Sequence, residues 1–99
     1  MINIVKKTEE GKAVLTLVGR LDTITAPELE TAIKEVITGI KELTLNFENL
    51  EYISSAGLRV LLSAQKTMNE QGTMKVLNVN ATIKEIFEVT GFSDILTIE

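Results

Sequence analysis

The sequence predicts an α/β fold in the order β-β-α-β-α-β-α-β, with a mostly parallel sheet, an N-terminal antiparallel hairpin and helices packed on the sheet. Three observations lead to it. Two β-prone runs flank a turn-forming Glu9-Glu10-Gly11; three later segments carry apolar residues at intervals of three and four; and short alternating or apolar runs separate those segments. Strands joined through helices run parallel by right-handed crossovers, which leaves the opening hairpin as the antiparallel edge.

The first pair of strands holds Ile2 and Ile4, then the run from Ala13 to Val18. After Gly19 the period lengthens, and Ala26, Leu29, Ile33, Val36, Ile37 and Ile40 form the stripe of a helix lying on a core. Thr25 and Glu28 are spaced as a capping box, Pro27 falls in the first turn where its missing N–H costs little, and Gly39 marks the expected end.

Leu43, Leu45 and Phe47 alternate with Thr44, Asn46 and Glu48, the pattern of a strand. From Leu58 the apolar positions Leu61, Leu62 and Met68 return to helical spacing, with Gly72 as terminator. A strand over Met74 to Val79 follows. Thr82 and Glu85 make a second capping box, Ile83, Ile86 and Phe87 give the buried face, and Gly91 with Phe92 reads as a glycine C-cap with its apolar contact. Asp94 to Ile98 is expected to close as a short strand.

Composition narrows the chemistry. The 99 residues suit one domain spanning 1–99, and 44% hydrophobic against 24% charged residues is the balance of a folded protein. With no cysteine and no histidine, thiolate nucleophiles, sulfur-ligated metals and a Ser-His-Asp relay are excluded. No phosphate-binding glycine loop is present. We therefore expect no enzyme activity, no metal and no cofactor. A net charge of −4, with only Arg20 and Arg59 as arginines and four aromatics, argues against nucleic acid as a direct partner. The start of the chain is too short in apolar residues for a secretory signal, and no run approaches the roughly eighteen of a membrane span, so a cytoplasmic protein without membrane insertion is expected.

One stretch asks for an explanation. In YISSAGLRVLL, Tyr52 to Leu62, two serines and a glycine precede the second helical segment. Either serine could be a helix N-cap, worth about 1 kcal/mol, and Gly57 could simply allow close packing. The same geometry would also favour a phosphoryl group at the helix start. In a parallel sheet the loops at Gly19–Thr25, Leu50–Gly57 and Val79–Thr82 leave from one rim, so Asp22 and the serines are expected as neighbours.

YISSAGLRVLL resembles the signature of the anti-sigma factor antagonists, the STAS domain family, in which a hydrophobic pair precedes Asp-Ser-Ser/Thr/Ala-Gly-Leu at the start of the second helix. GRLDTITAPEL at 19–29 is similar to the family's Gly-x-Leu-Asp loop and first helix, and EIFEVTGFSDILTI at 85–98 to its C-terminal segment. The resemblance implies a partner-switching module without catalysis. Such a protein binds an anti-sigma factor that is itself a serine kinase, releasing the sigma factor; phosphorylation ends the binding and a serine phosphatase restores it. The phosphorylated position corresponds to Ser55, with Ser54 second, because Ser54 stands where the family commonly has Asp. Asp22, Thr25, Ser54, Ser55, Gly57 and Arg59 are the implied partner-binding residues, and Arg59, at i+4, could reach a phosphate on Ser55. The resemblance equally allows an accessory subunit of a lipid-transporting ABC system or a component of a stress-sensing scaffold.

Overall fold

The computed structural model describes residues 2–99. Strands β1 (Ile2–Glu9) and β2 (Lys12–Leu21) form the antiparallel hairpin, turned at Gly11, whose φ of +74° suits glycine. Then come α1 (Ala26–Val36), β3 (Glu42–Ile53), α2 (Ser55–Gln71), β4 (Thr73–Leu77) and α3 (Ala81–Thr90), followed by a short 3₁₀ turn, Phe92–Asp94. The sheet order is β1-β2-β3-β4, with β2, β3 and β4 parallel.

Alternation in β1 and β2 sends Ile2, Ala13, Leu15 and Leu17 inward, where they meet Leu43 and Leu45 of β3 and Met74 and Val76 of β4. Leu29 and Ile33 of α1, Leu61 and Met68 of α2, and Phe87 of α3 close the same core, with the Phe87 ring 6.5 Å from that of Phe47. Burial of a large aliphatic or aromatic side chain contributes about 1.5–3 kcal/mol, so this interior is the main support of the fold. Lys6 and Glu35 form an ion pair that ties β1 to α1 at the surface. No helix among the described residues is long and apolar enough to cross a membrane.

The sheet departs from expectation in β3, which continues through Glu48–Ile53 instead of ending after Glu48. Thr16 pairs with Asn46 but Val18 with Asn49, and Gly19 pairs with Leu50 but Arg20 with Tyr52, so β3 gains a residue over β2 at two places. These bulges change the spacing of the buried residues from two to three: Phe47, Leu50 and Ile53 all point inward. Of the expected loop from Leu50 to Gly57, the first half is therefore strand, and after Ser54 the rest is already helix.

Helix ends differ as well. Helix α1 stops at Val36, three residues before Gly39, which lies in the following turn at φ +78°, so Ile40 enters the core from outside the helix. Helix α2 starts at Ser55, directly after Ser54, one of the two serines expected as its N-cap. Gly72 does terminate it, though for lack of room: a Cβ there would sit 2.0 Å from the Lys41 carbonyl oxygen. Gly91 is the left-handed cap expected for α3, at φ +82°. The closing strand reduces to a single parallel bridge, Val76 to Ile98, because the 3₁₀ turn takes up Asp94.

Candidate functional site

The carboxyl ends of β2, β3 and β4 each lead into a helix, and the three helix starts are linked at one rim. The Ser54 N–H donates to the Leu21 carbonyl at 2.8 Å, which sets the β3–α2 junction beside the β2–α1 junction. Asn80 joins from the third side, its Nδ2 donating to the Leu50 carbonyl at 2.9 Å. The expected meeting of the three loops is found.

At the first junction Asp22 does the capping. Its Oδ1 accepts from the N–H groups of Ile24 and Thr25, both at 3.0 Å, and its carbonyl accepts the first helical bond, from Ala26 at 2.8 Å. The expected Thr25–Glu28 capping box does not form. Thr25 has helical dihedrals and no cap bond of its own. Pro27 has no N–H for the Thr23 carbonyl, so the regular helix begins only at Ala26, and the cap lies upstream of that interruption. The Thr25 hydroxyl instead accepts from the Asp22 N–H and donates to the Arg20 carbonyl, both at 2.8 Å. The amide of Thr25 above all, and that of Ile24, hold the Asp22 carboxyl below its usual range, against partial desolvation that raises it.

At the second junction Ser54 is the N-cap, in extended conformation, its Oγ accepting from the Gly57 N–H at a long 3.5 Å. Ser55 is the first helical residue and is exposed. Of the two serines, then, one has a structural use and the other leaves its hydroxyl in solvent. The first turn of α2 contains no acid. Arg59, one turn further, is also exposed and lines an open cleft of about 340 Å³ with Thr23, Pro27, Glu30 and Ala56.

Two of the expected contact residues lie beneath this face. Thr25 is only 2% exposed and is committed to the Asp22 turn. Gly57 is buried, and a Cβ on it would lie 2.8 Å from Ile53 Cγ1 and 2.8 Å from Leu21 Cγ. Both are corrected from partner-contacting to supporting positions, because a partner cannot reach side-chain space already filled by the core. Asp22, Ser54, Ser55 and Arg59 remain around the rim.

At the third junction the expected Thr82–Glu85 box gives way to Asn80, whose Oδ1 accepts from the Ile83 N–H at 2.8 Å. An Asn directly before Ala-Thr-Ile was the available signal. Two other rim features were missed. Ile24 is 83% exposed, held outward by the Asp22 turn, and the Arg20 guanidinium lies 4.8 Å from the centre of the Tyr52 ring. The first was hidden because DTIT reads as an ordinary loop, the second because only the β3 bulges put residues 20 and 52 opposite each other.

A family model described as the STAS domain matches residues 3–99. The anti-sigma-B factor antagonist of Staphylococcus aureus is 31% identical over 103 residues, an alignment covering 98% of this chain and 92% of that protein. Among solved structures, an anti-sigma factor antagonist from Mycobacterium paratuberculosis matches with a TM-score of 0.89 at 22% identity, over 99% of this chain and 85% of that one. The Bacillus cell fate determinant SpoIIAA in its phosphorylated form matches at 0.76 and 20% identity, over 98% and 91%. At those identities the two structures speak for the shared fold.

Proposed function

The chain belongs to the STAS domain family, and from that premise we propose that it is an anti-sigma factor antagonist switched by phosphorylation at Ser55. In its unmodified form it binds an anti-sigma factor that is also a serine kinase, and so frees the sigma factor. During modification the Ser55 Oγ–phosphorus bond forms as the bond from the γ-phosphorus to the ADP leaving oxygen breaks, and the hydroxyl proton passes to a base of the kinase. A serine phosphatase returns the chain to its binding form.

The observation that carries this reading is the division of labour between the serines. Ser54 caps α2, while the Ser55 hydroxyl is exposed at the helix start, one turn before Arg59, and is the donor or acceptor of no hydrogen bond among the described residues. A group can be added there while the scaffold keeps its bonds. Added phosphate brings about −1.5 to −2 charges into a face that a partner reads as a neutral hydroxyl. Desolvating that charge without a matching cation costs a few kcal/mol, enough to weaken binding about a hundredfold or more. Asp22 supports the same face as a fixed acid. Both turn bonds fall on its Oδ1, which leaves the other oxygen for a cationic partner group.

The test is incubation with the cognate kinase and ATP, followed by mass spectrometry and by capture of partners on wild type, Ser55→Ala and Ser55→Asp. Phosphate on Ser55, with the kinase retained by the first two proteins and lost by the third, is the expected result. Binding without modification at Ser55 or Ser54 defeats the switch, and retention of a transporter ATPase in place of the kinase would identify an accessory subunit instead.

A further inference from the structure

We propose that Arg59 is the internal counter-ion of a phosphate on Ser55, so that the modified chain holds its own phosphate; the inference rests on Ser55 phosphorylation, as proposed above. Helix α2 is continuous from Ser55 to Gln71, which places positions 55 and 59 one turn apart on a single face, with about 5–6 Å between their Cβ atoms. Both residues are exposed, so the guanidinium can move to the phosphate without disturbing the core.

Arg59 is available for the task. The ion pairs among the described residues are Lys6–Glu35 and Lys12–Glu42, and Arg59 takes part in neither. Glu30, the acid that lines the same cleft of about 340 Å³, does not come within salt-bridge distance of it. A phosphate one turn away offers three oxygens and up to twice the charge of a carboxylate, and the guanidinium fork can take two of those oxygens at once. The other arginine, Arg20, lies against the Tyr52 ring. Ser54 adds to the effect because no acid stands in the first turn of α2 to repel the phosphate or compete for the guanidinium.

The clamp changes what a partner meets. Unmodified, the 55/59 pair presents a neutral hydroxyl and a free cation; modified, the same pair carries about −0.5 to −1 in total, and its only cation is already engaged. One covalent event thus removes a positive group from the face as well as adding a negative one.

The test uses phosphoserine installed at position 55 during translation, so that it depends on no kinase. The ³¹P resonance is titrated with pH at low ionic strength in the otherwise wild-type chain and in Arg59→Gln and Arg59→Lys. The wild-type second phosphate pKa should lie about 0.3 units below that of Arg59→Gln, with Arg59→Lys between them. The gap should close at about 1 M salt. Coincident wild-type and Arg59→Gln titrations at low salt overturn the clamp but leave the phospho-switch standing. Conversely, a chain that its kinase never modifies defeats the switch while the titration is still readable. Matched melting temperatures of the unmodified wild type and Arg59→Gln show that the comparison is between equally folded proteins.

Discussion

The starts of α1 and α2 lie side by side on one rim, tied by the Ser54–Leu21 hydrogen bond, yet they are built to opposite ends. At the α1 start, Asp22 and Thr25 exchange hydrogen bonds of 2.8–3.0 Å with each other and with Ile24 and Arg20, and Thr25 is buried. At the α2 start, a single 3.5 Å bond caps the helix, and the adjacent hydroxyl has no structural duty. The first junction is a fixture and the second a display. Charge can therefore change at residue 55 at little expense to the fold, whereas the neighbouring turn keeps the rim in place.

Substitutions should separate the two junctions by magnitude. The largest loss is expected from Thr25→Val, which keeps the shape but leaves the Asp22 N–H and the Arg20 carbonyl without their partner. Chemical denaturation should show a deficit of about 2 kcal/mol; a change under about 0.5 kcal/mol would mean that the α1 junction is no more fixed than its neighbour.

Next is Gly57→Ala, whose new methyl meets Ile53 and Leu21, both nearly fully buried. Overpacking outweighs the gain in helix propensity, for a net loss of about 1–2 kcal/mol in the same measurement. A neutral outcome would show that the floor beneath Ser55 can yield.

Asp22→Asn tests the fixture electrostatically. The native Asp22 carboxyl titrates below its usual value of 3.8, chiefly because the Thr25 amide donates to the carboxylate. A depressed native pKa contributes stability that is present above the unfolded value and lost as pH falls through the native one. The melting temperature of the wild type should therefore fall more steeply below about pH 4 than that of Asp22→Asn. Parallel profiles would show that the turn does not favour the charged form.

The smallest effects belong to the display. Ser54→Ala should cost about 0.5 kcal/mol, given its long cap bond, and Ser55→Ala should stay within about 0.5 kcal/mol of wild type. A larger loss at 55 than at 54 would reverse their assigned roles.

The same contrast decides how much could be read from the sequence. Period-setting residues were legible: the stripe Leu29–Ile33, the alternation Leu43–Leu45–Phe47 and the glycine cap at 91 each express one local rule, and each is found. The misses occurred where two rules competed. Thr25 and Glu28 have capping-box spacing, but Pro27 interrupts the ladder and hands the cap to Asp22. Thr82 and Glu85 have it too, but Asn80 caps two residues earlier and also reaches across to Leu50. The length of β3 was hidden because its bulges break the period of two that identifies a strand. For the site, the motif marked both serines, but only the β3–α2 junction distinguishes the one that caps from the one that is exposed.

The most direct measurement compares the dissociation constant for the anti-sigma kinase before and after phosphorylation of Ser55, with melting temperatures recorded on the same two samples. An affinity about a hundredfold weaker with an unchanged melting temperature is the predicted result. Equal affinities, or a loss of binding matched by a loss of thermal stability, would contradict a switch that acts on the surface alone.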